Sequence, residues 1–155
     1  MLALGLTALF LLVSLVGCDD YNGELPEAES TPSDYLTHDV LDGVVMVIQD
    51  VSPSGLSFSF ENSTENEYSY GSNFVLYTFR NNSWELVEPI IENWAFTMGG
   101  YLILPNSTTD NTAVDWEWLF GKLPSGEYKY QKEFLFIRNP GDFDTFVVSV
   151  EFSIS

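Results

Sequence analysis

Apolar side chains alternate with polar ones along several segments of this sequence, and this alternation constrains the fold most. In residues 56–61 a leucine and two phenylalanines alternate with two serines and a glutamate, and residues 113–118 and 145–154 show the same period of two. This period is typical of β-strands that have one buried and one solvated face. We therefore predict strands at these positions, with Trp116 and Trp118 on the buried side.

Other segments extend this β pattern over the rest of the chain. Further strands are predicted at residues 44–49, 74–79, 84–87, 100–104 and 127–137. Segments rich in Pro, Gly, Asn and Ser separate the strands, at residues 52–55, 80–83, 104–107, 123–126 and 139–142. Seven or eight short strands with regular turns predict an all-β fold, an antiparallel β-sandwich. Tyr128 stands at the start of a late strand, where its hydroxyl can form a tyrosine corner with upstream backbone.

The first 17 residues differ from the rest and predict a signal peptide. Residues 2–16 form an apolar run that is too short to cross a hydrocarbon core of about 30 Å comfortably. Leu15-Val16-Gly17-Cys18 resembles a bacterial lipobox, which implies that Cys18 is acylated and anchors the chain to membrane lipid. The protein is then expected at the extracytoplasmic face of the bacterial cell membrane. An uncleaved membrane anchor and a buried core helix are the alternative interpretations of this run.

An acidic segment, residues 18–42, follows and predicts a flexible tether. From Asp19 to Asp42 the chain carries eight acidic residues and no Lys or Arg, a composition that cannot bury enough apolar surface to order itself. The only histidine, His38, lies here and is interpreted as a tether residue. The folded domain is predicted at residues 43–155. Since Cys18 is the sole cysteine, no intramolecular disulfide holds this domain together.

Four blocks of the folded part carry a resemblance to known proteins. They are residues 50–56, 70–71, 89–96 and, most specifically, 114–128, which reads Val-Asp-Trp-Glu-Trp-Leu-Phe-Gly-Lys-Leu-Pro-Ser-Gly-Glu-Tyr. These blocks are similar to a bacterial immunoglobulin-like (Ig-like) domain family of exported proteins and lipoproteins of Gram-positive bacteria. The resemblance implies an Ig-like β-sandwich on the cell surface. It transfers no catalytic motif, and fold alone does not define function.

The net charge and the residue inventory exclude several classes of function. The chain carries 5 Lys and Arg against 23 Asp and Glu, a net charge of −18, so a nucleic-acid backbone would be repelled. Catalysis by a serine or cysteine nucleophile needs a nearby base, and zinc chemistry needs nitrogen or sulfur ligands. His38 and Cys18 are the only His and Cys, and both precede the predicted domain. We expect no enzyme activity, no catalytic residue and no cofactor.

Oxygen ligands for a cation are the one metal chemistry that the sequence can supply. Asp142 and Asp144 stand beside Gly141, and such carboxylates suit Ca²⁺ outside the cell. No segment matches the twelve-residue calcium loop. Loose attraction of cations to the acidic surface is the simpler interpretation of these carboxylates.

Four tryptophans raise the hypothesis of carbohydrate binding through exposed aromatic faces. The alternation assigns Trp116 and Trp118 to the core, and Trp94 lies in a block interpreted as packing against a sheet edge. Trp84 follows the polar turn at residues 81–83 and is the tryptophan expected to be exposed and to face a ligand.

Together these features predict a membrane-anchored lipoprotein whose Ig-like domain is a non-catalytic interaction or adhesion module. Its expected partners are membrane lipid through Cys18 and an envelope protein or cell-wall component, with no nucleic acid. The alternatives are a carbohydrate or cell-wall binding module and a Ca²⁺-dependent surface domain.

Overall fold

The computed structural model describes residues 39–155, and almost all of its regular structure is β-strand. The chain forms eleven strands and one helical turn: β1 (Asp39–Val40), β2 (Val44–Ser52), β3 (Gly55–Asn62), β4 (Tyr68–Gly71), β5 (Val75–Arg80), β6 (Ser83–Leu86), β7 (Gly100–Ile103), β8 (Ser107–Thr108), β9 (Thr112–Asp115), α1 (Glu117–Phe120), β10 (Gly126–Asn139) and β11 (Asp142–Ile154). Within these residues, no helix has the length or hydropathy needed to cross a membrane.

The strands form two sheets, as predicted for a sandwich. The seven-stranded sheet has the order β1-β11-β10-β4-β7, and β5 also pairs with β10 and carries β6 on its other edge. The four-stranded sheet consists of β2, β3, β8 and β9, with β3 at its centre. All pairs are antiparallel except that of β1 with β11. The antiparallel, Ig-like sandwich predicted from the sequence is confirmed.

The structure has more strands than the predicted seven or eight, because the period-two pattern did not identify three short strands. β1 and β8 contain two residues each and β4 contains four, which is too few for alternation to be visible. These strands exist because neighbouring long strands offer them backbone partners. Their pairing is therefore a tertiary effect.

The hairpin of β10 and β11 contains the two longest strands of the larger sheet. It pairs continuously from Gly126 opposite Ile154 to Asn139 opposite Asp142, with one irregularity near the turn. Gly141 in that turn has a φ of 82°, a left-handed conformation that glycine adopts without steric cost. The predicted turn at residues 139–142 therefore closes this hairpin.

Aromatic rings fill the space between the two sheets. Phe60 is fully buried and contacts Phe58, Tyr70 and Phe134 at ring-centroid distances of 4.9–5.0 Å, in edge-to-face geometry. Leu56, Phe58 and Phe60 are all buried, so the alternation in β3 predicted the core-facing side correctly.

The prediction that Trp116 and Trp118 share the core face is wrong. β9 ends at Asp115, and the chain then turns into α1, where residues two apart point about 200° apart around the axis. Trp116 is fully buried, whereas Trp118 is 45% exposed. Residues 117 and 118 thus continue the alternation of β9 although they belong to a helical turn, and the alternation alone does not show this change.

The fold begins slightly before the predicted boundary at residue 43. Asp39 and Val40 pair in parallel with Phe146 and Val147 of β11, and the buried Leu41 donates its N–H to the Val147 carbonyl oxygen at 3.2 Å. Residues 39–42, which the sequence assigned to the tether, therefore belong to the sandwich. The predicted signal peptide, Cys18 and His38 lie outside the described residues.

Candidate functional site: an exposed aromatic surface

One exposed apolar region stands out on the described domain. It is formed by the long connection between β6 and β7 together with α1. We call it the aromatic surface, and it consists of Ile90, Ile91, Trp94, Phe96, Met98 and Trp118. All are exposed except the partly buried Phe96.

Backbone hydrogen bonds hold the β6–β7 connection in place. The Val87 N–H donates to the Leu76 carbonyl oxygen, and the Ile90 N–H donates to the Leu119 carbonyl oxygen, both at 2.9 Å. Further along, the Ser72 hydroxyl donates to the Thr97 carbonyl oxygen. These three anchors fix a segment that has no regular secondary structure of its own.

Phe96 links the exposed tryptophans to the core. Its ring lies 5.1 Å from Trp94 and 6.4 Å from Trp118, and both contacts are close to perpendicular. On its inner side it lies 5.0 Å from Phe74, which stacks on the buried Tyr130. The aromatic members of this surface are therefore continuous with the core and are held by ring packing.

The end of β9 sets the position of Trp118. The Asp115 carboxylate accepts a hydrogen bond of 2.8 Å from the Glu117 N–H and so supports the start of α1. The Trp118 Nε1–H donates to the Asp115 carbonyl oxygen at 2.9 Å. With its one polar atom bonded to backbone, Trp118 offers mainly its ring surface to a partner.

Several large apolar side chains of this region are strongly exposed. Ile90 is 66% exposed, Trp94 is 40% exposed and Met98 is fully exposed. Scattered apolar residues are normal on a protein surface, but a contiguous group of large ones usually marks an interaction site. Tryptophan and methionine are also the apolar types enriched at protein interfaces.

Acidic residues flank the aromatic surface in the sequence. Four exposed carboxylates stand next to its members, namely Glu88, Glu92, Asp115 and Glu117. Two basic residues, Arg80 and Lys122, line a neighbouring cleft together with Glu88, and the Lys122 Nζ lies 4.0 Å from the Glu117 carboxylate. Acidic groups therefore outnumber basic groups beside this surface.

An open cleft of about 490 Å³ adjoins the aromatic surface. Residues 71–73 form one wall, and residues 96–100 form the other. Beneath the first wall, the Lys132 ammonium donates to the Asn73 carbonyl oxygen at 2.9 Å and lies 5.4 Å from the Tyr70 ring centre. Lys132 is 3% exposed, and burial lowers its pKa to about 8.

Lys132 was not among the residues singled out from the sequence. It occupies the inward row of β10 together with Tyr130 and Phe134. A lysine at an apolar position of a period-two pattern is the signal that could have identified it. Its contacts indicate a structural role, because the ammonium holds the loop at Asn73.

Trp84 is not the exposed tryptophan that the sequence predicted. It is partly buried on the outer face of the larger sheet, 5.1 Å from the Phe79 ring, and the Lys129 ammonium lies 4.8 Å from its ring centre. Lys129 lies equally close to the Tyr77 ring. This lysine comes from β10, which pairs with β5 and not with β6, so the turn at residues 81–83 does not reveal the contact.

The two candidate calcium ligands are engaged by an arginine. Arg138 contacts the Asp142 carboxylate at 2.6 Å and the Asp144 carboxylate at 2.5 Å, across the β10–β11 turn. These hydrogen bonds lower the pKa of both carboxyl groups and raise that of Arg138. Within residues 39–155 no group of three or more His, Cys, Asp or Glu side chains is placed to hold a metal ion.

Tyr128 makes the contact expected of a tyrosine corner. Its hydroxyl donates to the Pro124 carbonyl oxygen at 2.8 Å, four residues upstream, and its ring stacks on Phe152 at 5.8 Å. Burial raises the pKa of Tyr128, so this hydroxyl stays protonated. Tyr128 thus ties the turn before β10 to the core and has a structural role.

Comparison with known families identifies the domain. A family model described as "Bacterial Ig-like domain" matches residues 41–153, which is more than two thirds of the chain. This match confirms the resemblance inferred from the sequence blocks, and its bounds agree with a fold that begins just before residue 43. Among curated proteins, no match to the chain was found.

Proposed function

The chain belongs to the bacterial Ig-like domain family, and from this premise we propose that it is a non-catalytic interaction module held at the outer face of the cell membrane by a lipid on Cys18. The aromatic surface is the observation that supports an interaction role. It presents ring and aliphatic surface, and the Trp118 Nε1–H is bonded to backbone.

The proposed anchor is supported by the sequence alone. Residues 2–16 have the length of a signal-peptide core, and Cys18 stands where lipid attachment would follow cleavage. Two or more acyl chains would hold the protein stably, because each buried methylene contributes about 0.8 kcal/mol and a single chain is marginal.

Replacement of the cysteine tests this anchor. We expect Cys18→Ala to move the protein from the membrane fraction to the soluble fraction and to abolish incorporation of labelled palmitate. Asn22→Ala, a nearby change that leaves the proposed lipid site intact, should remain in the membrane fraction. A Cys18→Ala protein that stays membrane-bound would refute lipid anchoring and favour an uncleaved hydrophobic anchor.

Carbohydrate binding is the second candidate, favoured by the exposure of Trp94 and Trp118. Apolar faces of sugar rings can pack on such indoles, and the neighbouring carboxylates can accept hydrogen bonds from hydroxyls. A titration with purified cell-wall glycan, followed by Trp fluorescence, tests this candidate. The double variant Trp94→Ala and Trp118→Ala should lose any response, whereas an unchanged response would place the glycan elsewhere.

A further inference from the structure

The positions of the basic residues indicate which sign of charge on a partner would complement this domain. The chain has five Lys and Arg residues, and four of them already lie against aromatic rings, buried backbone or carboxylates. These four are Lys122 near Glu117, Lys129 over Tyr77 and Trp84, Lys132 at Asn73, and Arg138 at Asp142 and Asp144. Acidic residues therefore clearly outnumber basic ones in the described part of the chain.

We infer that the aromatic surface docks a partner protein whose contact region is apolar at its centre and basic at its rim. This inference rests on the proposed function and assigns it a surface and a partner chemistry. Trp94 and Trp118 supply the apolar centre, and the acidic groups at positions 88, 92, 115 and 117 supply the rim. Interfaces commonly combine such a core with complementary charge around it.

The composition of the surface favours a protein over a glycan. Besides the two indoles it exposes Ile90, Ile91 and Met98, which are aliphatic and offer no flat face for a sugar ring. Burial of such side chains contributes about 25 cal/mol for each Å² removed from water, which rewards an apolar partner. A second copy of this chain is disfavoured, because two chains of charge −18 repel each other.

The topology separates α1 from the point at which the described chain begins. The described chain begins at Asp39, which pairs with Phe146 close to the β10–β11 turn. By contrast, α1 precedes the first residue of β10, at the opposite end of that hairpin. The Trp118 side of the sandwich therefore lies away from the end at which the chain enters it.

Site-specific crosslinking in the cells that make the protein tests this inference. A photoreactive phenylalanine analogue is placed at position 118 of the full-length chain and, as the matched control, at position 143. Phe143 is 53% exposed, similar to Trp118, but it lies beside the β10–β11 turn at the other end. We expect one or a few proteins to crosslink from position 118 and not from position 143, with mass spectrometry identifying each.

Charge reversal then tests the basic rim on the identified partner. The pair Glu92→Lys and Glu117→Lys should weaken binding of the purified partner by about tenfold or more, and added salt should weaken the wild-type complex. The control pair Glu61→Lys and Glu67→Lys makes the same change in net charge at exposed positions in β3 and in the β3–β4 loop, and it should have a much smaller effect.

The outcomes separate the two proposals. Crosslinks from position 143 but not from position 118 would overturn the docking surface and leave the interaction module standing. Products from position 118 that contain glycan or a second copy of this chain would also overturn it, as would equal effects of the two charge-reversal pairs. An absence of crosslinks from both positions would overturn the docking surface and the interaction module together.

Discussion

The buried ammonium of Lys132 should make the stability of the domain rise as the pH is raised above neutral. Its pKa falls from an ordinary value of 10.5 to about 8 because burial disfavours the charged form. The ammonium donates to the Asn73 carbonyl oxygen and lies against the Tyr70 ring, and neither group carries a negative charge near neutral pH. Burial raises the pKa of Tyr70, so that ring stays neutral well above pH 7.

The magnitude follows from proton linkage. Between the folded pKa of about 8 and the unfolded pKa of 10.5, the unfolded chain binds more protons than the folded one. The free energy of unfolding therefore increases with pH in this window, by about 2 kcal/mol from about pH 7 to about pH 9.5. Above about pH 10 the trend reverses, because burial keeps Tyr70, Tyr128 and Tyr130 protonated in the folded state only.

Urea unfolding, followed by Trp fluorescence at several pH values, measures this effect. Lys132→Met removes the titrating group at similar volume, so the difference between variant and wild type cancels contributions from other groups. The free energy of unfolding of the variant minus that of the wild type should fall by about 2 kcal/mol from about pH 7 to about pH 9.5. Parallel pH profiles for the two proteins would refute the reasoning, because they would show that Lys132 titrates alike in both states.

Three further comparisons test the packing. Tyr128→Phe should lower the free energy of unfolding by about 1 kcal/mol, because it removes the hydrogen bond to the Pro124 carbonyl oxygen. Tyr130→Phe should raise it by up to about 1 kcal/mol, because the Tyr130 hydroxyl is buried with no hydrogen-bond partner in the described chain. Denaturant midpoints measure both changes. Trp116→Ala should cost about 3–5 kcal/mol and Trp118→Ala about 1 kcal/mol or less, and similar losses would contradict their assigned burial. Gly55→Ala should lower the melting temperature, because a Cβ there would lie 2.1 Å from the Val114 carbonyl oxygen; an unchanged value would contradict this close strand contact.

The strands with long alternation were predictable, and the helical turn was not. β3, β10 and β11 contain 8, 14 and 13 residues, enough for the period of two to identify their buried side. The alternation continued by chance into the first two residues of α1, Glu117 and Trp118, where the backbone geometry differs. A segment of one turn is too short for its own periodicity to distinguish it from a strand.

The candidate site was less predictable than the fold. The sequence singled out Trp84 because of the turn before it, but Lys129 from β10 covers its ring. It assigned Trp118 to the core, although this side chain joins Trp94 through Phe96 at the surface. Exposure of a large apolar residue depends on what distant strands and loops place over it, and one local pattern does not contain that information.

The fold class, the strongly negative charge and the positions of the main strands and turns are readable from the amino-acid sequence. They follow from alternation and turn chemistry within a few residues and from the composition of the whole chain. The exposure of each tryptophan and the burial of Lys132 beneath the Asn73 loop are not readable in this way. They depend on contacts between segments about 20 to 60 residues apart, which exist only once the strands and loops have assembled.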